Sequence, residues 1–202
     1  MAALTPEIHR LSDELAICQV YDTGVKAELF STALTTSTGL LLIDPVSFED
    51  ETLKGLTRGQ EVRAVIVTNA NHLRASHEVA AKYSVPIYAH AAAGIAGALP
   101  PDNHVSVSPD VKVITIAGAP NGEIALHCGR DGGTLVLGDA LINFGSHGFT
   151  FLPAKYCSNA KLMGRSLREL LNYSFERMLF AHGRPIMVNA RARLLALLES
   201  ET

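Results

Sequence analysis

Apolar residues in the first half of this chain come in short runs of strand length, each closed by turn formers. Leu15 to Tyr21, Leu29 to Thr35 and Leu40 to Ile43 predict three strands, ended by residues such as Asp22, Gly24, Gly39 and Pro45. A short acidic helix is expected from about Phe48 to Leu56. Val62 to Thr68 (VRAVIVT) is nearly continuous and β-branched, which suits a strand buried on both faces. The following ASHEVAAKYS places Val79, Ala80 and Tyr83 at helical spacing, and PIYAH, ending at His90, is a further strand. Strand, helix, strand is a βαβ unit with a right-handed crossover. The loop at the end of its first strand, Asn69 to Arg74, is where open α/β sheets place their sites.

The middle of the chain turns antiparallel. Val111 to Ala117, Glu123 to Cys128 and Thr134 to Gly138 are short strands, and the Asp-Gly pair of GRDGG makes a hairpin of the last two. Two helices are expected at the end, Ser158 to Glu176 and Val188 to Glu199, with the strand RMLFAH between them ending at His182. Strands in both halves, each set followed by helices, predict an α/β (α+β) fold of two stacked sheets with helices outside. No repeat or linker divides the chain, so one domain over residues 1–202 is expected.

Composition narrows the function classes. The chain has 202 residues, 48% of them hydrophobic, enough for one substantial core. A net charge of -3 without a basic block argues against a nucleic-acid partner. Cys18, Cys128 and Cys157 are scattered and odd in number, which is neither a disulfide framework nor a metal knuckle. Glu7, Asp13 and Glu14 break the apolar character of the N-terminus, so no secretory signal is read there. No run approaches the roughly 20 apolar residues of a membrane span. A cytoplasmic protein without a membrane partner is the expectation.

Three loops after strand ends gather the polar residues: Thr68 to Ser76, Gly138 to Gly148 and Ala181 to Pro185. VIVTNANHLRASHEVAAKYSVPIYAH resembles the signature region of the metallo-β-lactamase superfamily, in which a strand ending in Thr runs into H-x-H-x-D-H, a helix and a Pro-led strand. LLLIDP resembles that family's upstream strand ending in Asp, GDALIN its Gly-Asp-x-Leu element, and AHGRPI its final His-Gly-x-Pro element. The likeness runs in order over roughly residues 15 to 190, and it implies a four-layer αββα sandwich.

The departures from that pattern bear on chemistry. H-x-H-x-D-H reads here Asn69, Ala70, Asn71, His72, Leu73, Arg74, and the histidine of the next family turn falls on Ala119. His72 lies at a position the family does not use for binding. Of the ligands implied by the resemblance, Asp139 and His182 remain. Zinc needs three or four N, S or O donors, and an Asn amide oxygen is a poor one. Zinc or another divalent metal is therefore expected only weakly, at low occupancy. Without metals, Asp139 needs another counter-charge, and Arg74 is expected to supply it as a bidentate pair.

Blander readings compete. Asn69, Asn71 and His72 suit a tight loop. His72 and His77 are five apart and do not share a helix face. His9 is expected at the surface and His90 at a strand end; His104, His127 and His147 have no assigned partner, and of these His147 is expected nearest the pocket because its loop follows Asp139. Ser76 and Ser146 lie outside any nucleophile motif. Two functions follow. In one, the protein is a pseudo-enzyme or binding module that holds an unknown small molecule through Asn69, Asn71, His72, Arg74, Asp139 and His182. In the other, it is a metal-dependent hydrolase of a small ester, amide or thioester using a single weakly held ion. The resemblance also makes a homodimer an expectation, with no exposed stripe to argue it.

Overall fold

The computed structural model describes residues 6–101, 107–144 and 148–200. A six-stranded sheet is built in sequence order from β1 (Glu7–Arg10), β2 (Leu15–Asp22), β3 (Ala27–Thr36), β4 (Gly39–Ile43), β5 (Val62–Val67) and β6 (Ile87–Ala89). It is antiparallel through β4 and parallel across β4, β5 and β6. A four-stranded sheet has the order β12 (Arg177–Phe180), β9 (Thr134–Leu137), β8 (Ile124–Cys128), β7 (Val111–Thr115), with β12 parallel to β9. A separate ribbon pairs β10 (Leu141–Phe144) with β11 (Gly148–Phe151).

The two-residue period of the strands sorts their side chains between layers. Leu41 and Ile43 of β4 face inward and join Ile66, Ile124, Leu126, Val136 and Leu179 in the core between the sheets. Their neighbours Leu40 and Leu42 point outward with Val65 and Val67, onto Leu53 and Leu56 of α1 (Asp50–Thr57) and Val79 and Ala80 of α2 (Ser76–Tyr83). On the far side Leu135 and Leu137 meet Met163 and Leu167 of α3 (Ala160–Glu169) and Leu194 and Leu198 of α4 (Ala190–Ser200). Three apolar layers between four structural ones make the αββα sandwich. β5, α2 and β6 form the expected βαβ unit, and the GRDGG hairpin joins antiparallel strands through Asp131 and Gly132 at positive φ.

Three elements differ from expectation. β1 and the β10–β11 ribbon are additional. The helix expected to reach Glu176 ends at Glu169; a 3-10 turn over Leu170–Asn172 follows, and the chain swings inward so that Phe175 is buried ahead of β12. His104, Ser146 and His147 lie outside the described residues. Cys18 and Cys128 are buried and Cys157 is partly so, all three as free thiols. No helix among the described residues is long and apolar enough to cross a membrane.

Candidate functional site

The site forms where strands end. Asp44 follows β4, Thr68 and Asn69 follow β5, Glu123 precedes β8, Asp139 follows β9 and His182 follows β12. The chain then makes a 3-10 turn over Ala70–His72, capped by Asn69, whose side-chain oxygen accepts the Asn71 N–H at 2.8 Å. That turn directs His72 inward, where its side chain is 2% exposed.

His72 stands between two carboxylates. Its Nδ1 is 3.0 Å from Asp44 Oδ2 and 2.8 Å from Thr68 Oγ1, and its Nε2 is 3.2 Å from Asp139 Oδ1. The second contact is a close ion pair but is not in line for a hydrogen bond, so Nε2 is a buried polar atom without a hydrogen-bond partner. Burial pulls the imidazole pKa down, and the Asp44 and Asp139 charges more than offset it, pushing it up to about 9. Burial raises both aspartates, and the facing His72 reverses this, holding each below the usual carboxylate range.

A second network sits beneath. Asn69 Nδ2 donates to Glu123 Oε2 at 2.6 Å and to Asp139 Oδ2 at 3.1 Å, and Asn71 Nδ2 reaches Asp139 Oδ2 at 3.4 Å. Glu123 Oε1 accepts the Ala140 N–H at 3.0 Å. Burial and the neighbouring Asp139 push the Glu123 carboxyl up to about 7. His182 Nδ1 donates to the Glu28 carbonyl at 3.1 Å, which leaves Nε2 facing Asp139 Oδ1 at 3.5 Å. Burial lowers its pKa, with His72 and Arg74 adding to that and Asp139 opposing it.

The expected Arg74–Asp139 pair does not form. The Arg74 guanidinium turns the other way and donates to the carbonyls of Phe30 at 2.8 Å, Asp44 at 3.0 Å and Ala181 at 3.4 Å. It ties together the chain around three strands, while His72 meets the carboxylates. Glu123 and Asp44 belong to the site but not to the residue set expected from sequence. Their signals were a carboxylate opening an apolar strand (GEIAL) and one closing another (LLLID).

Asn71, His72, Arg74, Asp139 and His182 line a cavity of about 1450 Å3, while Asn69 lies buried behind them. Ser76 is fully buried and not part of its wall. A two-ion centre does not fit here, because Asn69, Asn71, Leu73, Arg74 and Ala119 offer a metal no good donor. A single ion fits the spacing of His72, Asp139 and His182, whose donor atoms all lie within 4.8 Å of one another. The 3.2 and 3.5 Å separations match the edge of a tetrahedron with bonds of about 2.0–2.1 Å.

Strand order, four layers and a site at the strand ends define a metallo-β-lactamase fold. Residues 8–201 match the family model described as the metallo-beta-lactamase superfamily, and the chain belongs to that superfamily. DIM-1 metallo-beta-lactamase is similar in structure at 14% identity, with a TM-score of 0.75 over 98% of this chain and 99% of that one. Metallo-beta-lactamase IND-7 is similar at 17% identity, TM-score 0.68, covering 98% and 99%. A metallo-beta-lactamase family protein from Thermus thermophilus is similar at 17% identity, TM-score 0.66, covering 95% of this chain and 80% of that one. At these identities the likeness is one of fold. A comparison with curated proteins yields no match.

Proposed function

We propose that this protein is a pseudo-enzyme of the superfamily, a small-molecule-binding protein whose site is neutralised by its own side chains. The observation that carries this is the position of His72, within 3.2 Å of both Asp44 and Asp139. Two buried carboxylates demand positive charge, and a protonated imidazole between them supplies it where a metal would otherwise be needed. A protonated His72 has no lone pair to give a metal. Asn71 and His182 then present polar groups to a ligand in the cavity above.

A second reading has its own support. The unpartnered His72 Nε2, with Asp44 behind Nδ1 and the Glu28 carbonyl behind His182 Nδ1, gives two histidines oriented as metal ligands usually are. With His72 deprotonated, His72, Asp139 and His182 would hold one divalent ion. Such an ion would supply an activated water for hydrolysis of a small ester, amide or thioester.

Elemental analysis of the purified full chain, with thermal melts in zinc, manganese, iron and chelator, separates the two. Metal-free protein whose melting point is unmoved by added ions supports the pseudo-enzyme. One bound ion per chain, lost in His72→Gln and in His182→Gln, would replace it with the single-ion hydrolase.

A further inference from the structure

The wall of the cavity above the site is unlike the rest of this acidic chain. Lys155, Lys161, Arg165 and Arg168 line it, whereas Asp22 and Asp139 are its only acidic residues among the described ones. Asp139 is already engaged by His72, Asn69 and Asn71. Lys161, Arg165 and Arg168 follow one another at intervals of four and three on α3, so they share one face of that helix. Like charges at such spacing repel one another. None of the four basic residues forms an ion pair with any described residue. The protein as a whole carries a net charge of -3, so this concentration is local.

The same cavity also has an apolar lining. Val25 and Tyr156 are large hydrophobic residues left 64% and 58% exposed, and both line it. Leu29, Ile142, Phe151 and Leu152 line it as well. An apolar lining of this kind favours a ligand with an apolar body.

We infer that the cavity takes a free small molecule with an anionic head and an apolar body, the head held by Lys161 and Arg165 and the body laid along Val25, Phe151 and Tyr156. This rests on the ligand-binding reading of the site and adds the chemical class of the ligand. An exposed ammonium and guanidinium one helical turn apart suit a phosphate or carboxylate. Attraction at such an exposed rim is screened by salt, so binding weakens as salt rises.

The test is calorimetric titration of the full chain with decyl phosphate, decanol, decyltrimethylammonium and inorganic phosphate. Decyl phosphate is expected to bind about tenfold or more tightly than decanol, with decyltrimethylammonium weaker still. Lys161→Glu/Arg165→Glu and the milder Lys161→Gln/Arg165→Gln should lower decyl phosphate affinity and leave decanol unchanged. Both positions are exposed, so the melting temperature should hold. Equal binding of the phosphate and the ammonium, insensitivity to both double variants, or no binding at all overturns the anionic head. Inorganic phosphate binding as well as decyl phosphate overturns the apolar body. A stoichiometric metal would overturn the pseudo-enzyme reading instead, and it is read separately by elemental analysis.

Discussion

His72 Nε2 lies 3.2 Å from Asp139 Oδ1, with both side chains buried. The same ring contacts Asp44 through its other nitrogen, so one imidazole serves two carboxylates. Removing one member of such a group leaves the others buried without a counter-charge. His72→Gln is therefore expected to cost about 3–5 kcal/mol, measured by urea denaturation at neutral pH. Adding Asp139→Asn to His72→Gln should recover part of that loss, because the second change removes one uncompensated charge. Additive losses would mean that the two side chains do not act on each other.

Stability should also fall as pH rises across neutrality. The His72 pKa is about 9 in the folded chain against 6.5 for the free side chain, so between these values the folded state holds more protons than the unfolded one. Its contribution is complete below pH 6.5 and lost as pH rises through 9, about 3 kcal/mol in all. Glu123 has the same sign at lower pH. Its folded pKa is raised from 4.5 to about 7, so its neutral form favours folding below 4.5 and that contribution is lost through 7. Asp44 and Asp139 are depressed, so their contribution is present above the free carboxylate range and lost on acidification. The expected maximum is at about pH 5. Melts of chelator-treated protein should show this, and Glu123→Gln should remove the lower step while keeping the upper one.

Arg74 is expected to matter as a clamp. Its guanidinium joins the Phe30, Asp44 and Ala181 carbonyls, which belong to β3, the end of β4 and the end of β12. Arg74→Met keeps much of the stem but takes its donor from the Phe30 carbonyl, while the Asp44 and Ala181 carbonyls keep the Ser31 hydroxyl and the Phe30 N–H, and a loss of about 1–3 kcal/mol is expected in chemical denaturation. Because the guanidinium does not occupy the His72–Asp139–His182 cluster, the variant should take up no more zinc than the parent. A gain in zinc uptake would restore the idea that Arg74 stands in a metal's place.

Much of this fold was legible because burial follows period. Leu40 to Ile43 and Val62 to Thr68 are apolar at every or nearly every position, and both strands are covered on two faces by the opposite sheet and by helices. The loops after strand ends located the candidate site, since Asn69, Asn71, His72, Asp139 and His182 gather there. The direction of His72 was not legible, because it depends on a single 3-10 turn capped by Asn69. A bidentate partner for Asp139 suggested Arg74 on charge alone, but the carbonyls of Phe30, Asp44 and Ala181 take the same guanidinium. Glu123 was overlooked because a glutamate before an apolar run reads as a solvated strand end. Only the fold shows that residue enclosed beneath Asn69.

Gly138, between β9 and Asp139, offers a test of how tightly the floor is built. A Cβ there would lie 2.5 Å from Thr68 Oγ1, 2.8 Å from Glu123 Oε2 and 2.9 Å from Asn69 Nδ2. Those atoms are held in place, Thr68 by Asp44 and His72 and Asn69 by Glu123 and Asp139, so none is the free end of a flexible side chain. Gly138→Ala is expected to cost about 1–3 kcal/mol by forcing this network apart. The same substitution at Gly164, inside α3, meets no atom within 4 Å and replaces a residue that weakens helices, so it should stabilise by up to about 1 kcal/mol. Opposite signs for the two alanines in parallel denaturation curves are the expected result. A neutral Gly138→Ala would mean that Thr68, Asn69 and Glu123 yield readily, and that the contacts positioning His72 and Asp139 are looser than their distances imply.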